Sequence, residues 1–317
     1  MRELTVNKND AGQRLDKFLT KKFKTMPKSL MYKYIRIKCI KLNGKKCKID
    51  DVLKEGDVLT FFIKDEFFEV QPERYDFMKA PIKLSIVYED DNIMLIDKPQ
   101  GLLVHPDKEY HFDSLVARVK HYLYDKGEYN PKEENSFSPA TVNRIDRNTG
   151  GIVIAAKNSE ALKTLNLLMK ERKIEKYYLC LCEGIFKKKE GLVRSGLKKN
   201  EKSNTVSKVK IGTEDSKESA TRYKVIDEKE NSSLVECQLL TGRTHQIRVH
   251  MSSLNHPLAG DTKYGGKALR AHGNIGQALY SYKIKFTDCE DTVVSYLNNK
   301  EFEVKDIWFA KNGQISI

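Results

Sequence analysis

The positive charge of this 317-residue chain is gathered at one end. Residues 1–64 hold 17 Lys and Arg against 7 Asp and Glu, so they carry +10 of a formal net charge of +13. From Lys17 to Ile49 there are 12 basic residues and no acidic one. A run of like charge is ordinarily just a solvated face. A folded segment this basic repels itself, however, and a polyanion relieves the repulsion. Lys and Arg contacts to phosphates release counterions and give affinity without sequence preference. An anionic membrane surface is the rival partner, but the segment lacks the one-sided bulky apolar face such binding needs. Nucleic acid is therefore the expected partner. No apolar run is long enough to span a bilayer, and the polar start MRELTVNKNDAG has no signal-peptide core. A cytoplasmic protein without membrane partners is expected.

The basic segment carries the marks of a folded unit. In QRLDKFLTKKFK, residues Leu15, Phe18, Leu19 and Phe23 fall on one helical face. In KSLMYKYIRIK, Leu30, Met31, Tyr34 and Ile35 do the same. CIKLNGKKCKID predicts strand, Asn-Gly turn and strand, and KEGDVLTFFI a further turn and strand.

On Gly12, Arg14, Leu15, Asp16, Leu19, Asn43, Gly44, Gly56 and Asp57, residues 1–64 resemble the αL RNA-binding domain named after ribosomal small-subunit protein four. The resemblance implies RNA contacts from the basic surface, with Lys17, Lys21, Lys22, Lys33, Arg36, Lys45 and Lys46 as candidates acting collectively. Members of that family often open the second helix with Ser-Arg; here it is Ser29-Leu30. Residues 65–80, of mixed charge, are expected to link this unit to a second domain over 81–317.

The rest of the chain alternates irregularly between strand and helix patterns. IKLSIVYEDDNIMLIDKPQGLLVHP predicts strand, turn, strand and a Pro-Gly loop, and GIVIAA a buried strand. SEALKTLNLLMKERK places Leu162, Leu165 and Leu168 at helical spacing, with Ser159 as the expected cap. KYYLCLCEG predicts a strand with Cys180 and Cys182 on one face. SSLVECQLLTGRTHQIRVHMSSLNHP runs from strand into helix, with Thr244 as expected cap and Ile247, Met251 and Leu254 as its buried stripe. The expected class is α+β, with a mixed, largely antiparallel sheet. The six cysteines include no CxxC pair and are expected to be reduced, buried, small hydrophobes. His245, His250 and His256 are spaced by five and six residues, off any common helical face and without a carboxylate among them. No metal site is expected.

The candidate chemistry lies in TVNRIDRNTGGIVIAAKN, where Asp146 stands between Arg144 and Arg147 ahead of an apolar strand. A surface ion pair is the plain explanation; a nucleophile held ionised is the alternative. Burial raises a carboxyl pKa and a nearby guanidinium lowers it again, so a buried catalytic Asp needs an Arg of its own. Arg147 would point away from Asp146 in an extended strand. Arg248, in a basic helix, is the better partner if the fold brings it near.

Four motifs in order, over residues 82–266, resemble those of the RluA-type pseudouridine synthases, the large-subunit ribosomal RNA branch of that superfamily. They are EDDNIMLIDKPQGLLVHP, VNRIDRNTGGIVIAAKN, KYYLCLCEG and TGRTHQIRVHMSSLNHPLAGDTKYGG. The resemblance implies the pseudouridine synthase fold and the isomerisation of uridine in structured RNA, most simply ribosomal RNA. It implies that Asp146 is the catalytic aspartate and Arg248 the arginine paired with it. Tyr178 corresponds to the tyrosine that packs on the base and can take part in proton transfer, and Tyr177 would face away. Arg144 corresponds to the arginine that fills the space left by the flipped uridine. Arg147, Arg243 and His245 are expected RNA contacts. Asn143 stands where His is common and Gly150 where Ser is common, which is expected to alter packing or RNA contact and leave the chemistry intact. The reaction has no redox change and transfers no outside group, so no cofactor is expected. The aspartate could act covalently or as a base. A monomer is expected. A binding or ribosome-assembly factor that retained the fold is the alternative from another class.

Overall fold

In the computed structural model the described residues are 1–68, 72–107, 112–269 and 276–316. Apolar spacing sets the first elements: α1 (Leu15–Lys22) turns Leu15, Phe18 and Leu19 inward, and α2 (Lys28–Arg36) Met31 and Ile35. With Ile40, Leu59 and Phe61 these form one buried cluster. The strands are β1 (Arg2–Thr5), β2 (Ile40–Leu42), β3 (Lys45–Lys46) and β4 (Val58–Phe61), ordered β1-β4-β2-β3. Asn43 and Gly44, at φ 50° and 73°, make the tight β2–β3 turn, whose twist requires positive φ at both positions. Lys17, Lys21, Lys33, Arg36, Lys45 and Lys46 are exposed, whereas Lys22 is half-buried.

A polar seam joins this unit to the rest of the chain. Asp10 is fully buried. It accepts hydrogen bonds from Asn135 Nδ2 at 2.7 Å, Ser136 N at 3.1 Å and Ser136 Oγ at 2.6 Å. Lys22 Nζ donates to Asn135 Oδ1, and Lys163 Nζ to the carbonyl of Ala11. Of residues 65–80, Phe67 and Phe68 pack on the first cluster, while Phe77 and Ala80 are buried in the core of the second unit. Residues 69–71 lie outside the described residues.

The second unit is built on an 11-stranded sheet. Its strands and helices run β5 (Ile86–Glu89), β6 (Ile93–Lys98), α3 (Leu115–Asp125), β7 (Ala140–Thr141), β8 (Gly150–Ala156) and α4 (Ser159–Lys170). There follow β9 (Ile174–Glu183), β10 (Glu190–Asn200), β11 (Thr205–Val209), β12 (Ser216–Lys229), β13 (Ser232–Leu239), α5 (Gln246–Ser253), β14 (Leu279–Phe286) and β15 (Glu301–Glu303). The main path is β11-β10-β12-β13-β9-β14-β8-β6-β5, with β7 on β8 and β15 on β14. Among the described residues every pairing is antiparallel except β14 with β8. The expected α+β class with a largely antiparallel sheet is what the chain adopts.

Strand β8 is buried along its whole length because both faces of the sheet are covered there. Ile152 and Ile154 meet Leu165 and Leu168 of α4, while Val153 and Ala155 meet Leu115 and Val119 of α3. Further along, α5 covers Tyr178, Cys180, Val235 and Cys237 through Ile247 and Met251. Cys180 and Cys182 share a face, their sulfurs 3.7 Å apart. Among the described residues no group of three or more metal-ligating side chains is gathered, and no helix is long and apolar enough to cross a membrane.

Two expected caps are displaced. The residue capping α4 is Asn158, whose side chain accepts from Ala161 N; the Ser159 amide instead donates to Asn9 Oδ1 of the first unit. At α5 the chain enters through His245 in a left-handed conformation, φ 54°, and Thr244 is exposed. The start of α5 has no side-chain cap; the buried Gln246 carboxamide instead ties the entering chain to β12, accepting from Arg243 N at 3.0 Å and donating to Ala220 O and Thr221 Oγ1.

Candidate active site

Asp146 lies in the loop between β7 and β8, at the first position of a turn closed by Thr149 N donating to its carbonyl at 3.0 Å. The loop is held at both ends. Asn143 Oδ1 accepts from Ile154 N at 2.8 Å, so the residue that departs from His at this position ties the loop to the β8 backbone. Lys98, fully buried at the end of β6, donates to the carbonyls of Pro99, Leu102 and Arg147 at 2.8, 2.8 and 3.1 Å. Burial brings the Lys98 ammonium down to about 7, with Asp146 and Asp97 acting against that fall. Arg147 ties this loop to the one that follows β6, its Nε donating to Gly101 O at 3.1 Å.

The fold brings Arg248 to Asp146 across 102 residues of sequence. Arg248 Nη1 donates to Asp146 Oδ2 at 3.2 Å. Its other donors grip Asp261, Nε to Oδ2 at 2.7 Å and Nη2 to Oδ1 at 2.8 Å. Burial works against the guanidinium, but the bonds and charges of Asp261 and Asp146 outweigh it and hold the Arg248 pKa above its ordinary value. Arg248 is thus a permanent cation fixed in a forked geometry, with one nitrogen left for Asp146.

Tyr178 stands beside this pair on β9, 5% exposed. Burial pushes its phenol up to about 12; a hydrogen bond with Ser281 works against the rise and Asp146 adds to it. It is a neutral hydroxyl at any physiological pH. Tyr177 faces the other side, bonded to Glu175 and under Lys283.

A cleft of about 750 Å³ opens over these groups, lined by Asp146, Tyr178 and Arg248. Arg144, Arg147, Arg243 and His245 line it as well, with His245 Nε2 3.8 Å from Asp146 Oδ2. Arg144 and Arg243 are exposed, the latter tied by its Nε to Glu218 O at 3.0 Å. Lys17, Lys21, Lys33, Arg36, Lys45 and Lys46 do not reach the cleft. Among the cleft residues the sequence reading passed over are Lys176, Lys199 and Lys263, which add positive charge to the wall. Asp261, which also lines the cleft, and Tyr264, which bonds His245 from outside its lining, were also passed over, although both stand in the quoted LAGDTKYGG. Their only sequence signal was an acid and an aromatic inside a motif already marked. Lys98 showed itself as a lone cation ending an apolar strand.

A half-exposed carboxylate, a fixed guanidinium and a buried phenol at the floor of a basic cleft suit attack on, or deprotonation of, an anionic substrate. Residues 92–253 match the family described as RNA pseudouridylate synthase. The chain belongs to the RNA pseudouridylate synthase family. It is 34% identical to an uncharacterised RNA pseudouridine synthase of Mycoplasma capricolum, over 98% of this chain and 100% of that one. It is also 34% identical to the ribosomal large subunit pseudouridine synthase C of Vibrio vulnificus, over 89% of this chain and 87% of the other. The fold is shared with human RNA pseudouridylate synthase domain containing 1, at a TM-score of 0.54 and 22% identity, covering 71% of this chain and 85% of that one. Fold, family and the expected RluA-type resemblance therefore agree, and the synthase motifs fall on the cleft.

Proposed function

We propose that this enzyme converts uridine to pseudouridine in large-subunit ribosomal RNA, with Asp146 as its catalytic carboxylate. The observation that carries the reading is the Arg248–Asp146 pair at 3.2 Å on the cleft floor, inside a chain of this family. The names of its relatives support the ribosomal substrate. The reaction breaks the bond between the sugar and N1, turns the base, and joins the sugar to C5. The C5 proton leaves and N1 gains one, so atoms balance without a co-reactant. Asp146 can take part either by bonding to the sugar or by removing a proton as the base departs. Tyr178, a neutral phenol lining the cleft, packs on the base and exchanges a proton with it. Arg248 fixes the carboxylate.

The uridine has to leave its stack, at a cost of a few kcal/mol. Arg144, exposed at the cleft edge, fills the vacated space. Arg147 and Arg243 contact the flanking RNA. Residues 1–64 act as an αL RNA-binding domain and 81–317 as the catalytic domain, and the protein works as a cytoplasmic monomer. The test uses unmodified ribosomal RNA carrying tritium at C5 of uridine, incubated with wild type or Asp146→Asn. Release by wild type alone supports the reading, and near-normal release by Asp146→Asn refutes it. An RNA-binding protein without chemistry would release none while still binding the RNA.

A further inference from the structure

Two nitrogens approach the same oxygen of Asp146. Arg248 Nη1 lies 3.2 Å from Oδ2 and His245 Nε2 3.8 Å from it. The second distance is longer than a hydrogen bond, as catalytic bonds often are before substrate binds. His245 takes a left-handed backbone, φ 54°, a conformation uncommon outside glycine and held only where the surroundings impose it. Its side chain is 9% exposed.

The other ring nitrogen decides where the proton sits. His245 Nδ1 lies 2.7 Å from the Tyr264 hydroxyl, which also accepts from Val206 N at 2.9 Å. A phenol has one proton to donate. With Val206 occupying an acceptor site, the Tyr264 O–H is free to point at Nδ1. A neutral imidazole accepting at Nδ1 carries its proton on Nε2, towards the carboxylate. The opposite tautomer would set a lone pair against Asp146 and leave the Tyr264 proton without this acceptor. The ring of Tyr264 also lies under Arg248, its centroid 4.9 Å from the guanidinium carbon. One tyrosine thus braces both donors.

We propose that His245 is a positioning residue for Asp146: its Nε2–H, fixed by the Tyr264 hydroxyl at Nδ1, is the second donor to Oδ2 and leaves Oδ1 as the oxygen that reacts. The inference rests on Asp146 being the catalytic carboxylate. It moves His245 from the RNA contacts to the support of the carboxylate. Burial lowers the His245 pKa, with Arg248 and Lys263 adding to the fall and Asp146 and Asp261 opposing it. The ring is therefore neutral at neutral pH, as the tautomer requires.

The first test is independent of activity. Nitrogen NMR of the full-length protein labelled at histidine, with His245 assigned by its loss in His245→Gln, reads which ring nitrogen is protonated. The proton is expected on Nε2 in wild type and distributed over both nitrogens in Tyr264→Phe. A proton on Nδ1 in wild type overturns the proposal. The second test is isomerisation of unmodified ribosomal RNA. Gln places an N–H near the position of Nε2, whereas Asn places one near Nδ1. His245→Asn is expected to lower kcat about 10-fold to 100-fold, the range of a hydrogen bond to a charged group, with KM little changed. His245→Gln is expected to recover most of that loss. Equal losses in the two variants, or a change confined to KM, also overturn it. If Asp146→Asn keeps normal turnover, the functional reading fails, and the NMR result still judges the tautomer.

Discussion

Arg248 spends two of its donors on Asp261, at 2.7 and 2.8 Å, before its third reaches the candidate nucleophile. The Asp261 side chain is 1% exposed and that of Arg248 9%. Removing one member of such a buried pair leaves the other charge uncompensated, at a cost of about 3–5 kcal/mol. Asp261→Asn keeps the size and loses the charge. It is expected to lower stability by about 3 kcal/mol in urea denaturation. It should also lower kcat at saturating RNA, because Arg248 is then free to move off Asp146. A variant with wild-type stability and turnover would show that Arg248 needs no anchor.

Gly150 marks a second contact that no motif announces. A Cβ there would lie 2.4 Å from Cε2 of Tyr280, and Tyr280 is itself tied to Asp97 through its hydroxyl. The parallel pairing of Tyr280 with Gly150 brings the ring over the strand. Gly150→Ser, which restores the residue common in the resembling motif, is expected to cost about 1–3 kcal/mol by overpacking. Gly150→Ser should lower the melting temperature less in a Tyr280→Val background than in wild type, the signature of two residues in contact. Equal melting of Gly150→Ser and wild type would show that the ring moves aside freely.

Local pattern carried much of this fold. The inward residues of α1, the Asn43-Gly44 turn and the apolar β8 follow from spacing and turn chemistry alone. The catalytic candidates were legible through motif order, since Asp146 and Arg248 are 102 residues apart and no period links them. What stayed hidden depends on contacts through space. The Asp10 seam pairs short polar residues more than 100 positions apart. Asn158 caps α4 in place of Ser159 because the helix begins one residue earlier than expected, and the Ser159 amide bonds Asn9 across the seam. Thr244 takes no capping role because the chain enters α5 through a left-handed His245, with Gln246 bonded to β12.

His250 is fully buried and bonds Ser195 and Ser219 through Nε2 at 3.0 Å each, and Thr221 through Nδ1 at 2.9 Å. Burial brings its pKa down to about 4, with Lys208 adding to the fall. The unfolded chain binds this proton near pH 6.5 and the folded protein only near 4. The stability is therefore complete above about pH 6.5 and is lost as pH falls towards 4, up to about 3 kcal/mol in all. Urea denaturation from pH 7.5 to 4.5 should show that decline. His250→Gln is expected to be less stable at pH 7.5 and to decline less over the same window. Parallel curves for the two proteins would assign the acid sensitivity to other groups.

The exposed basic residues of α1 and α2 supply the last prediction. Lys17, Lys33 and Arg36 are exposed and none reaches the cleft. If each meets a phosphate, changing all three to Gln removes three counterion releases. The slope of log affinity against log salt should then flatten by about 2–3, at roughly 0.7–0.9 per contact. Stability should scarcely change, since surface substitutions away from caps and networks stay within about 0.5 kcal/mol. Lys21 and Lys22 are left in place because their ammonium groups bond Gln13 and Asn135 at the seam. Filter binding to unmodified ribosomal RNA across a salt series measures the slope. An unchanged slope with unchanged stability would make this face a solvated surface, and the cleft arginines and lysines would then carry the RNA affinity alone.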